Sequence, residues 1–210
     1  MINNNSLSDV VAVSSVFIGC CKRDPVSLAT LSAQAIDKVR TVFENIPFYY
    51  LKKYIDGVLS VEDDLGGACR LSDKLFSDSK RAMNNAIRII HYVTNIDEIK
   101  KIDWFINATR ALLLGGIETS MLFRIFYIID NTLAEDLEYM STLIEKDTLF
   151  RGNIQIQALV QSGLLISAGI DANSGVEDQE YAITRLGYLV DQFALSLNND
   201  ERQHWYKDLC

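Results

Sequence analysis

The side chains able to do chemistry in this chain are few and scattered. His91 and His204 are its only histidines, and its cysteines are Cys20, Cys21, Cys69 and Cys210. A metal site needs several N, S or O ligands at short, recurring spacings. No C-x-x-C occurs, and neither histidine completes such a set, so no metal or cofactor is expected. G-x-S-x-G and H-E-x-x-H are absent. Gly66-Gly67 and Gly115-Gly116 lack the Lys-Ser/Thr that makes a glycine turn a phosphate loop. His91 follows the apolar face of Ile87 and Ile90, which fits a packed or half-exposed ring better than a general base. The reading is of a protein without catalytic residues.

Recognition is a different matter. Arg110 and Arg124 each sit in a strongly apolar helical stretch, with Asp130 and other carboxylates within reach. A lone buried charge costs several kcal/mol, so a buried ion pair of Arg110, Arg124 and Asp130 is expected, fixing helix register. Arg151 is followed by Asn153, Gln155, Gln157 and Gln161, an amide-rich run whose side chains can read adenine edges. Downstream, Asp171, Glu177, Asp178 and Glu180 occupy a polar stretch with no cation. The His204-Trp205-Tyr206 tail brings Trp205 and Tyr206, residue types favoured as interface anchors, although the tail could equally pack back on the body.

Charge separates the partner classes. Residues 132–210 hold thirteen acidic and five basic side chains, a balance of −8, while residues 1–131 hold fifteen of each. Phosphate binding draws its affinity from Lys and Arg through counterion release, so the acidic segment has the wrong sign for a polyanion. The expected partner is therefore a protein and not a nucleic acid. Lys80, Arg81 and Arg88 could share a helix surface, read as a solvated face offset by nearby carboxylates.

The elements that must position these groups are mostly helices. Val10, Val13, Phe17 and Cys20 fit one helical face, although the β-branched run also fits a strand. Asp24-Pro25 is a helix start, and Asn45-Ile46-Pro47 a stop. Further helices are expected over Phe48 to Leu59, from Ser77 or Ser79, and from Asn95 or Asp97 to Gly115-Gly116. The helix carrying Leu122, Ile125, Phe126 and Ile129 should form an antiparallel hairpin with the one before it.

From about residue 150 the pattern changes. Ile154 to Val160 leads into Ser162-Gly163, then Leu164 to Ile170 and Glu180 to Thr184 read as two strands of a hairpin. Gly163 can take the left-handed conformation that ends a helix. Thr184 can cap the final helix, and Gly187 allows close approach to a neighbour.

The stretch "IQALVQSGLLIS…DQEYAITRLGYLVDQF" resembles the C-terminal half of winged-helix domains, over residues 158 to 193. An unrelated helix–hairpin–helix is the competing reading. More distantly, "NATRALLLGGIETSMLFRIFYIIDNTLAEDLEYM" followed by that ending resembles Abi-alpha-type abortive-infection proteins in layout. That resemblance implies a role in conflict between bacteria and phage, and supplies no individual functional residues.

The resulting expectation is a mainly α protein: a helical bundle body, residues 1–131, then a winged-helix-like module with one β-hairpin and a tail, residues 132–210. Val10 to Cys21 is too short to span a bilayer, and Met1 to Asp9 lacks a basic leader segment, which points to the cytoplasm with free thiols. A homodimer is compatible with the wide apolar faces. The function expected is a non-enzymatic protein-interaction or regulatory role. The alternative is a DNA-binding transcriptional regulator reading through Asn153 to Gln161.

Overall fold

A computed structural model describes residues 4–39, 46–144, 150–151, 153–169 and 180–195. Its contacts divide the chain into two compact units, Met1–Leu122 and Phe123–Cys210. Among the described residues, no helix is long and apolar enough to cross a membrane.

The first unit is built from α1 (Asn4–Cys21), α2 (Pro25–Val39), α3 (Ile46–Asp64), α4 (Leu71–Leu75), α5 (Ser79–Thr94) and α6 (Lys100–Leu113). The ambiguous N-terminal segment is a helix, and its Phe17 and Cys20 are buried as the helical spacing requires. Asp24 caps α2 as expected: its carboxylate accepts from the Ser27 amide at 2.9 Å and from the Ser27 hydroxyl at 2.6 Å. The core gathers Phe17, Leu51, Tyr54, Ile89 and Phe105, each of which stabilises by about 1.5–3 kcal/mol through removal from water. Phe17 meets Phe76 edge to face at 5.8 Å between ring centres. The Tyr54 hydroxyl is not orphaned there, because it shares a 2.8 Å hydrogen bond with Thr109.

Three expectations change. The helix expected over Phe48 to Leu59 runs instead from Ile46 to Asp64, and Gly57 is a contact point rather than an end. A Cβ at Gly57 would lie 2.3 Å from Ile106 Cδ1, so its absence lets α6 lie close. The cap of α5 is Asp78, not Ser77 or Ser79. The helix expected from Asn95 or Asp97 begins at Lys100, and Asp97 instead pairs with Lys101 at 2.6 Å.

α7 (Thr119–Asn131) runs across the division, so α6 and most of the other arm of the expected hairpin belong to different units. The second unit continues with α8 (Ala134–Ile144), β1 (Phe150–Arg151), α9 (Ile154–Gln161), β2 (Leu165–Gly169), β3 (Glu180–Ile183), α10 (Arg185–Val190) and a π-helical turn, Asp191–Leu195. The strands form an antiparallel sheet in the order β1-β3-β2, with Phe150 opposite Tyr181 and Leu165 opposite Ile183.

The joints of this unit follow its sequence closely. Gly163 has φ +77°, and its turn is closed by the Leu164 amide donating to Leu159 O at 2.9 Å. The Thr184 hydroxyl accepts from the Gly187 amide at 3.0 Å and so caps α10. It also reaches back to Gly163 O at 2.9 Å, tying the cap to the end of α9. Asp191 is buried but satisfied by the Ser141 hydroxyl at 2.6 Å, which fastens the π turn to α8.

Candidate functional site

The arginines do not make the expected buried triad. Arg124 is exposed, so it needs no buried partner. It falls on one stripe with Tyr127 and Asn131, while Leu122, Ile125, Phe126 and Ile129 turn inward. The Arg110 side chain is 14% exposed and pairs with Asp64 of α3 at 3.3 Å. Arg124→Ala is therefore expected to change unfolding free energy by less than about 0.5 kcal/mol, measured by urea denaturation.

Other reactive groups are also occupied structurally. Cys20 and Cys21 are buried free thiols; burial, aided by the charges of Asp24 and Asp56, pushes Cys20 up to about 11, away from thiolate chemistry. Cys210 and His204 lie outside the described residues. His91 is exposed, 2.7 Å from the Asn95 amide. Ser77-Asp78-Ser79-Lys80 has a Ser-x-x-Lys spacing, and both Ser77, just ahead of α5, and Lys80, in its first turn, are exposed. Arg81, read as part of a solvated basic face, is exposed and lies 3.6 Å from Asp78.

The second unit holds a groove of about 320 Å³, bordered by the end of α7, the Thr132-Leu133 turn, the start of α8 and the C-terminal half of α9. Its geometry follows from the local sequence. Asp136 lies in the first turn of α8, where the helix dipole favours an anion. The same turn carries Asp136 inward, leaving it 7% exposed in the groove wall. Burial raises its carboxyl above the usual range, the adjacent Glu135 adds to the rise, and a hydrogen bond with Gln155 opposes it. Thr132 is 5% exposed, and among the described residues its hydroxyl has no hydrogen-bond partner.

α9 supplies the groove's other wall and the neighbouring surface. Ile156 and Leu159 point to the core, while Gln157 and Gln161 are exposed. Ile154 is 86% exposed, at the first turn of the helix. No Lys or Arg occurs along α9. No family model, no curated protein and no solved structure matches this chain.

The amide run is divided by this arrangement. Asn153 is the cap of α9: its oxygen accepts from the Ile156 amide at 2.7 Å, and its nitrogen reaches the Tyr139 hydroxyl at 3.2 Å. That commits it to structure rather than to reading a base. Gln155 is half-buried and bound to Asp136, which leaves Gln157 and Gln161 outward. Glu180 is exposed at the start of β3, opposite Arg151 and Gly169 in backbone register. Glu177, Asp178, Trp205 and Tyr206 lie outside the described residues. The groove itself escaped the sequence reading, because its two walls are separated by more than twenty residues and carry no motif.

Proposed function

We propose that this chain is a non-enzymatic protein-interaction module, with a winged-helix-type second unit used for protein contact in phage–bacterium conflict. The observation that carries the reading is the outer surface of α9: an almost fully exposed Ile154 beside Gln157 and Gln161, with no cation on the helix. A surface that binds a phosphate backbone relies on Lys and Arg. A surface that binds protein is depleted in charge at its centre and uses apolar anchors within a polar surround.

The winged-helix part is supported by topology. A short strand, a helix and a hairpin whose second strand lies between the other two give the order β1-β3-β2, and Gly163 and Thr184 hold the helix-to-hairpin joint. The setting in phage–bacterium conflict rests on the Abi-alpha resemblance alone. Gln157 and Gln161 favour a second reading, a transcriptional regulator presenting α9 to the major groove. The −8 balance of residues 132–210 opposes it.

A photoreactive amino acid at position 157, in the full chain expressed in its own host, tests the first reading. A discrete protein adduct is expected, lost with Ile154→Asp and retained with Arg124→Ala. Adducts to nucleic acid alone, or adducts indifferent to Ile154→Asp, would overturn it.

A further inference from the structure

We propose that the groove between the α7–α8 turn and α9 receives an arginine side chain of the protein partner, with the Asp136 carboxylate as its counter-ion. The inference rests on the protein-contact reading above and deepens it by naming what the partner presents.

Size is the first constraint. At about 320 Å³ the groove stands at the small end of ligand sites and has room for one long side chain. Charge is the second. Asp136 is almost wholly withdrawn from water, yet among the described residues none that lines the groove is basic. Its neighbour in the chain is another acid, Glu135, and Gln155 offers only a neutral hydrogen bond. A desolvated carboxylate without a cation is an unfavourable arrangement that a guest cation relieves.

The rest of the wall suits a guanidinium better than an ammonium. Arginine carries five donors in a planar fork. The Thr132 hydroxyl, buried in the wall and without a hydrogen-bond partner among the described residues, is an acceptor for one of them. Gln161 contributes an amide oxygen from α9. The exposed side chains of Tyr127 and Leu133 line the same groove and offer apolar surface to the three methylenes of the guest. The excess acidity of residues 132–210 would draw a basic segment toward this unit before contact.

The test uses the full chain, labelled with nitrogen-15, and the tripeptide N-acetyl-Gly-Arg-Gly-amide. Its citrulline analogue keeps the shape and loses the charge; its lysine analogue keeps the charge and loses the fork. The arginine peptide should shift amides of 132–137 and 161–162 saturably, with the citrulline peptide weaker by about tenfold and the lysine peptide by about threefold. Asp136→Asn should remove the preference for arginine over citrulline while the spectrum stays folded. Gln161→Arg, at an exposed position, sets a resident cation at the groove and should weaken the arginine peptide by about tenfold. The proposal is overturned if those amides do not respond, if citrulline or lysine binds as well as arginine, or if Gln161→Arg binds unchanged. Loss of the position-157 adduct with Ile154→Asp, alongside a silent groove, would remove this inference and leave the protein-contact reading standing. Arginine binding with adducts indifferent to Ile154→Asp would do the reverse.

Discussion

Asp97→Ala is expected to destabilise the first unit by about 3 kcal/mol, the lower end for breaking a buried ion pair. Lys101 is wholly buried in α6, and its ammonium lies 2.6 Å from Asp97. Asp97 is 50% exposed, which places the cost at that lower end. Removing the carboxylate leaves a buried ammonium with its countercharge gone. Lys101→Met removes the charge but keeps the length, and should be neutral or stabilising, since apolar replacement of a buried pair often is.

The pair also sets a pH signature. Burial pulls the Asp97 carboxyl upward, but the hydrogen bond and charge of Lys101 outweigh it and hold the group below the usual carboxylate range. A carboxyl lowered on folding contributes stability above its unfolded value, and that contribution is lost as pH falls through the folded value. Urea denaturation followed by tryptophan fluorescence should therefore show a loss of stability on acidification that is reduced in Lys101→Met. Equal midpoints for wild type and Asp97→Ala at neutral pH would remove this account of Lys101.

Gly187→Ala is expected to cost the second unit about 2 kcal/mol, against the usual helix trend. In an exposed helix interior, alanine is favoured over glycine by about 1 kcal/mol. Here a Cβ would lie 2.6 Å from Leu164 O and 2.7 Å from Ile183 Cγ2. The carbonyl cannot give way freely, because Leu164 O accepts from the Thr184 amide at 2.9 Å and from its hydroxyl at 3.1 Å. Forcing atoms into such a site costs about 1–3 kcal/mol. Hydrogen exchange should show faster opening of α9, β2 and α10 in the variant, and slower exchange there would contradict the packing described.

The second unit was the more legible of the two in the sequence. Gly163, Thr184 and Gly187 each do what their residue type suggested, because turns and caps are set by local chemistry. β1 was not legible: two residues cannot show alternation, and they become a strand only by pairing with β3. Gly57 misled for a related reason, since its purpose is contact with Ile106, about fifty residues away in sequence. Arg124 was read as buried from its apolar neighbours, whereas the phase of α7 turns it outward with Tyr127 and Asn131. The groove depends on α8 and α9 meeting, and nothing local in the sequence separates its carboxylate from the adjacent acid Glu135.

The central claim is that α9 faces protein rather than duplex DNA. Fluorescence anisotropy of a mixed-sequence DNA duplex, titrated with the full chain from low to physiological salt, tests it most directly. We predict no saturable binding at any salt, because the helix offers no cation and its segment carries a balance of −8. Saturable binding that weakens steeply with salt and is abolished by changing Gln157 and Gln161 to alanine would contradict it.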